Sequence, residues 1–331
     1  MEINPHRYQK MIYRRAGTSG LKLPVLSLGL WYNFGEVNDY EICKNIIIEA
    51  FNHGITHFDL ANNYGPPPGS AERTLGKILQ DGLMAYRDEL IISTKAGYYY
   101  WEGPYGDGGS RKYLFASLDR SLKHLGLSYV DIFYHHRYDA ETDLKETMVT
   151  LRDIVLSGKA IYVGLSNYTS AQLKKAYQYL DEMNVPYVIT QPSYSMLNRK
   201  IETDRLLDTQ YDLLHRGTIA YSALAQGRLS NKYIDDIPMD SRAKNRNLPF
   251  LKESNITPEL IEKLKKLDVI AKNRGQTIAQ MALAWTIRDP RMTSTLIGVR
   301  TLEQLYENLE TLKHLDFSDE EKSAIDEALN S

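Results

Sequence analysis

A chain of 331 residues with 43% hydrophobic side chains can bury a core without disulfides or metal. Its 40 Lys and Arg against 42 Asp and Glu leave a net charge of −2, which excludes a global attraction for nucleic acid or an anionic membrane. The single cysteine, Cys43, excludes an internal disulfide and suits a reducing compartment. No stretch of 18 apolar residues occurs, and MEINPHRYQKMIYRR has no apolar signal region, so the expectation is a soluble cytoplasmic protein.

From the N-terminus, YRRAGTSGLKLPVL reads as a hairpin, with Gly17 and Gly20 flanking its turn. Eight short apolar runs follow as strands, at 25–29, 56–59, 90–95, 130–135, 160–165, 187–190, 218–221 and 295–297. Helical spacing appears between them, at 39–53, 111–125, 144–157, 169–182, 201–216, 277–288 and 301–313. In the first of these helices Cys43 shares a face with Ile46, Ile47, Ala50 and Phe51, so it reads as a buried core residue rather than a nucleophile. Runs such as LIIST and YVDIFYHH are almost continuously apolar, the mark of parallel strands covered on both faces. Eight strand–helix repeats predict a (β/α)8 TIM barrel, formed by residues 1–331 as one domain, with an N-terminal hairpin and long loops on the C-terminal face. The longest irregular segments are 97–110 and 225–256. A Rossmann fold is excluded, because SLGLWYNFGE puts bulky residues where G-x-G-x-x-G needs glycine.

In such a barrel the strand C-termini face the active site. The polar residues there are Asp59, Lys95, His135, His136, Ser166, Asn167 and Gln191, with Tyr221 following its strand. Tyr64 comes shortly after Asp59, in FDLANNYGPPPGSAE, where prolines stiffen the turn. A free phenol has a pKa of about 10, and a nearby ammonium lowers it. Lys95 is expected to supply that charge, with Asp59 orienting it and His136 hydrogen-bonding a carbonyl substrate. Plainer readings stand beside each residue: a buried ion pair for Asp59 and Lys95, a packed aromatic for Tyr64, a structural ring for a lone histidine. Convergence on one face tips the balance towards chemistry.

The motifs GITHFDLANNYG, IISTKAG, YVDIFYHHR, YVGLSNY, TQPSYS and LIGVRTLEQLYENL together resemble the aldo-keto reductase family over nearly the whole chain. The branch most similar contains the potassium-channel β subunits and bacterial reductases of L-glyceraldehyde 3-phosphate and methylglyoxal. The resemblance implies a catalytic set of Asp59, Tyr64, Lys95 and His136, with Tyr64 as general acid. The channel subunits carry asparagine at the His136 position, so histidine favours an active reductase. A cofactor-sensing interaction subunit is the alternative reading.

The implied cofactor is NADPH/NADP+. The resemblance puts Trp31, Asp59, Ser166, Asn167, Gln191 and Tyr221 at the nicotinamide. It puts Ser222, Leu224, Gly227 and Lys232 at the pyrophosphate, Arg242 at the 2′-phosphate, and Gln304 and Asn308 at the adenine end. Gly298 and Gln304 stand at two positions near the last strand where many relatives carry a basic residue, and Arg300 is the candidate replacement. Trp31, Tyr64, Tyr99, Trp101, His136 and Arg137 are the candidate substrate contacts. Arg137 suits a phosphate or carboxylate, and its plainer role is an ion pair with Asp139 or Asp131. The implied partners are a small aldehyde substrate and other copies of the chain, as a tetramer or octamer. No nucleic acid, membrane or metal is called for.

Overall fold

The eight strands expected between residues 25 and 297 close on each other. In the computed structural model, which describes residues 2–239, 241–244 and 250–330, the order is β10-β3-β4-β5-β6-β7-β8-β9, all parallel. The strands are β3 (Leu26–Gly29), β4 (His57–Asp59), β5 (Ile91–Ala96), β6 (Val130–His135), β7 (Ala160–Ser166), β8 (Tyr187–Gln191), β9 (Gly217–Ala220) and β10 (Ser294–Ile297). Before them, β1 (Tyr13–Arg15) and β2 (Lys22–Pro24) form the antiparallel hairpin. Each expected strand lies within one residue of its observed bounds, because both faces of a barrel strand are covered and its apolar run is unbroken.

Helices α1 (Tyr40–Asn52), α3 (Arg111–Leu125), α4 (Leu144–Leu156), α5 (Ser170–Glu182), α8 (Ile278–Ile287) and α9 (Leu302–Leu309) match the periodic segments. Local chemistry sets their starts. Asp39 accepts from Ile42 N–H at α1, and Thr169 with Gln172 forms a reciprocal cap at α5, as Thr277 with Gln280 does at α8. Cys43 is buried on the inner face of α1. Four fully buried leucines, Leu75, Leu114, Leu151 and Leu173, come from successive helices, and each such burial contributes roughly 1.5–3 kcal/mol.

The expected helix at 201–216 does not run through: α6 (Lys200–Thr203) stops, Arg205 takes a left-handed φ of 51°, and a single π turn covers Asp208–Leu213. Three helices were not anticipated. One, α2 (Ser70–Gln80), starts on Gly69 straight from the proline turn and carries Gly76 mid-helix, which blurs its pattern. The others, α7 (Pro258–Asn273) and α10 (Asp319–Asn330), lie outside the eight-fold repeat and share a second apolar cluster with α8.

The hairpin closes one end of the barrel. Ala16, Leu21 and Leu23 join Ile132, Tyr134, Ile189 and Ile219 inside it. The approach is close: a Cβ on Gly217, where β9 begins, would meet Ala16 Cα at 2.7 Å. Higher up, Tyr134 fills the interior so completely that a Cβ on Gly164 would lie 2.3 Å from its ring. Among the described residues the barrel therefore opens at the strand C-termini; segment 97–110 follows β5, and the described residues between 225 and 256 form only single turns.

Candidate active site

Asp59 ends β4 and Lys95 points inward from β5, so parallel pairing places them side by side. Both are buried; the Lys95 ammonium donates to Asp59 Oδ2 at 2.5 Å and to the Leu60 carbonyl at 2.6 Å. Ser93 donates to Asp59 Oδ1 at 2.7 Å, and Gln191 Nε2 reaches the same oxygen at 3.1 Å. Burial pulls the Lys95 pKa down while Asp59 opposes that.

Tyr64 hangs over this pair from the turn after β4. Its N–H donates to Ala61 O at 3.0 Å, and its carbonyl accepts from Ala71 N–H at 3.3 Å where α2 begins. The following proline turn packs against Gly35, where a Cβ would meet Pro66 O at 2.2 Å. Lys95 Nζ lies 5.0 Å from the Tyr64 ring centre. His136 directly follows β6, its N–H held by Ala96 O at 2.9 Å, and its ring meets Tyr64 edge-on at 6.0 Å between centres. Gly97 permits that seat, since a Cβ there would press on His136 Cβ at 3.1 Å. His136 Nδ1 is buried with no hydrogen-bond partner among the described residues.

The electrostatics differ from expectation. Burial pushes the Tyr64 phenol well above its ordinary value and the Asp59 charge adds to the rise; it is not lowered. Burial is the main reason, and Asp59, in contact with Lys95, offsets part of the ammonium's pull on a ring 5.0 Å away. Burial pushes His136 well below its ordinary value, and Lys95 adds to the fall, so the imidazole is neutral at pH 7. The phenol thus keeps its proton until a stronger acceptor arrives, and the imidazole is a hydrogen-bond donor rather than an acid.

The polar residues of β7, β8 and β9 form one network with this set. Ser166 Oγ donates to Gln191 O at 2.8 Å, and Asn167, at a left-handed φ of 57°, donates to His136 O at 3.0 Å. Tyr221 OH donates to Asn167 Oδ1 at 2.7 Å. Beyond β9 the chain is wound tightly, with positive φ at Ser222, Ala225, Gln226 and Gly227 and a turn closing on Leu224. Lys232 Nζ lies 4.9 Å over the Tyr233 ring, and the charges of Arg242 and Arg300 both act on the same phenol. Burial lowers the Arg242 pKa and Arg300 adds repulsion. Two guanidiniums held close enough to repel fit an anionic cofactor group.

Some candidates fall elsewhere. Arg242 also lies 5.4 Å over Trp31, though the two were assigned to opposite ends of an extended dinucleotide. Gln304 is turned to its own helix start, accepting from Arg300 N–H at 2.9 Å, and Asn308 is buried on the inner face of α9. Gly298 is open, with nothing near the place of a Cβ. Tyr99 is 60% exposed, and Trp101 turns away onto Tyr113 at 5.0 Å under Arg120 at 4.6 Å. The aromatic against the site is Tyr98, one of a loop cluster (Tyr98, Tyr99, Tyr100, Trp101, Tyr105) suited to line a pocket but not itself among the named site candidates: its ring is 4.7 Å from His136 and 5.4 Å from the Arg137 guanidinium. Its position immediately after Gly97, at the mouth of β5, was the available signal. Arg137 pairs with Asp107 at 3.1 Å and Gly97 O at 2.8 Å, not with Asp139 or Asp131. Asp131 is taken by Arg87 at 2.8 Å.

A closed parallel barrel with a phenol, a neutral imidazole and an ammonium–carboxylate pair at its mouth defines a class: barrel oxidoreductases acting on carbonyl groups. Residues 25–330 match the model of the Aldo/keto reductase family. Over 326 residues the chain is 52% identical to L-glyceraldehyde 3-phosphate reductase of Escherichia coli O157:H7, covering 98% of this chain and 94% of that protein. The reductase of the same name from Escherichia coli strain K12 matches to the same extent. A protein of Arabidopsis thaliana described as "Probable voltage-gated potassium channel subunit beta" is 34% identical over 308 residues, 91% of each chain. The chain belongs to the aldo/keto reductase family and is an oxidoreductase of the kind that reduces aldehydes with NAD(P)H.

Proposed function

We propose that the protein reduces small aldehydes and ketones to alcohols with NADPH, L-glyceraldehyde 3-phosphate and methylglyoxal being the substrates in view. The observation that carries this is the pairing of Tyr64 and His136, ring centres 6.0 Å apart, above the buried Asp59–Lys95 pair. A carbonyl oxygen placed between the two rings receives a hydrogen bond from neutral His136 and one from Tyr64. Nicotinamide, when bound, supplies the hydride to the carbonyl carbon. As charge grows on the oxygen, Tyr64 gives it the phenolic proton, and Lys95 lies close enough to stabilise the phenolate left behind.

Ser166, Asn167 and Gln191 hold the carboxamide, and Tyr221 fixes the ring face. Lys232, Arg242 and Arg300 take the phosphates, which favours NADPH over NADH. Arg137 anchors the charged end of the substrate. A histidine at position 136 favours turnover over a purely cofactor-sensing role, because it completes the pair of donors. The whole chain acts as one barrel domain, assembled with its own copies and placed in the cytoplasm. The test is NADPH oxidation with a panel of small aldehydes. The wild type turns over, whereas Tyr64→Phe loses nearly all kcat and retains cofactor affinity. Full activity in Tyr64→Phe would overturn the assignment.

A further inference from the structure

Half of the barrel interior is apolar, but a polar column runs up the other half, through inward side chains of four neighbouring strands. Ser294 (β10) donates to Pro24 O at 2.6 Å and lies 2.7 Å from Ser27 Oγ (β3). Ser27 Oγ lies 3.0 Å from His57 Nδ1 (β4), and His57 Nε2 lies 2.9 Å from Ser93 Oγ (β5). Ser93 then donates to Asp59 Oδ1 at 2.7 Å. Ser27, His57, Ser93 and Ser294 are each 0% exposed, so no solvent enters this count.

We infer that His57 is a positioning residue for the proposed reduction, acting through Ser93 on the Asp59 carboxylate that holds Lys95. The inference rests on the functional reading above. Hydrogen counting carries it. Ser93 has one hydrogen, and an ionised carboxylate can only accept, so that hydrogen belongs to Asp59. The 2.9 Å contact between Ser93 and His57 Nε2 then holds a hydrogen only in the Nε2–H tautomer, the one the proposal requires. Nδ1 is then left to accept from Ser27. With a neutral ring four hydrogens serve five contacts, and since either serine of the 2.7 Å Ser27–Ser294 pair can donate, the missing hydrogen falls somewhere between Pro24 and His57 Nδ1. Burial pushes His57 down to about 4, in keeping with that neutral ring.

The column is thus polarised. Its near end, His57 to Ser93 to Asp59, is fully satisfied and sets the carboxylate. Its far end is one hydrogen short. Asp59 Oδ1 has two donors, Ser93 and Gln191, and loss of the shorter one frees the carboxylate to turn. Lys95 is tied to its other oxygen and turns with it, shifting the charge beneath Tyr64.

The experiment compares Ser93→Ala, His57→Leu, His57→Gln and Ser27→Ala with the wild type. Ser93→Ala and His57→Leu are expected to lower kcat about tenfold, with substrate KM and NADPH Kd within about twofold, as for groups that only orient a catalytic pair. His57→Gln offers an N–H and an oxygen in place of the two ring nitrogens, and is expected to restore kcat to within about threefold. Ser27→Ala is expected to leave kcat unchanged. Side-chain 15N NMR of histidine-labelled protein, with the His57 signal assigned by its loss in His57→Gln, should show Nε2–H in the wild type. Equal losses in Ser27→Ala and Ser93→Ala, a His57→Gln no better than His57→Leu, or an Nδ1–H tautomer would overturn the inference. Should the wild type oxidise NADPH with no aldehyde, the functional reading fails, while the tautomer still decides the hydrogen order of the column.

Discussion

The Tyr98 ring stands edge-on to His136, 4.7 Å between centres at an interplanar angle of 84°. An edge-to-face pair of this kind contributes roughly 0.5–1.5 kcal/mol beyond its burial. Here the energy goes into fixing the orientation of an imidazole whose Nδ1 has no partner among the described residues. Tyr98→Ala is therefore expected to lower kcat/KM by about threefold to tenfold. Tyr99→Ala, at a position 60% exposed, should stay within about twofold. Steady-state rates with one small aldehyde check both.

Arg137 lies one residue beyond His136, with its guanidinium shared between Gly97 O, the half-exposed Asp107 and the Tyr98 face. A phosphate displaces a carboxylate at such a site more readily than a neutral group does. Arg137→Met should raise KM for glyceraldehyde 3-phosphate by about tenfold or more and leave unphosphorylated glyceraldehyde nearly unchanged. Asp107→Asn, which removes the internal competitor, should lower KM for the phosphorylated substrate. Parallel substrate titrations of the two variants measure this.

Arg242 is crowded by Arg300 and accepted by Gln226 Oε1 at 2.9 Å. Its removal should raise KM for NADPH by about tenfold while KM for NADH moves little, since only NADPH carries the extra phosphate. Unchanged constants for both cofactors would remove Arg242 from the phosphate site. A rise in both would place it on the nicotinamide side with Trp31.

Three buried histidines make the fold sensitive to acid, His136 among them, held well below its ordinary value by burial. For the other two, His57 and His135, burial lowers the value to about 4, with Asp59 and Asp139 respectively resisting. In the unfolded chain both titrate near 6.5. Between those values the unfolded state binds more protons, so stability is complete above about pH 6.5 and falls as pH drops towards 4. The loss is on the order of 3 kcal/mol for each ring if the full shift is expressed. Urea unfolding at pH 7 and pH 5 should show lower stability at the acid value, with a smaller difference in His57→Gln.

The strands and the four residues above the barrel were legible because position along a barrel strand dictates direction: the last inward residue faces the mouth. Asp59 ends β4, Lys95 lies one residue before the end of β5, and His136 directly follows β6. Tyr98 was not legible among Tyr98, Tyr99 and Tyr100, since an irregular loop has no period to say which ring turns inward. The Asp107–Arg137 pair joins two loops 30 residues apart, and nothing local marks it. The sign of the Tyr64 shift also escaped, because residue types show a nearby ammonium but neither how deeply the phenol is buried nor the Asp59 charge beside it. Helix α7 was missed despite its periodic leucines because the eight-fold repeat left no vacancy for it.

The hairpin β1–β2 gives the cylinder a floor. A tube open at both ends would admit water from below to Asp59 and Lys95, and the bulk dielectric would flatten their mutual pull. With a floor, the chamber drains only upward, and whatever covers the rim decides how dry it is. A chain shortened past Pro24 would keep every residue named at the rim and still lose the insulated ground on which they stand.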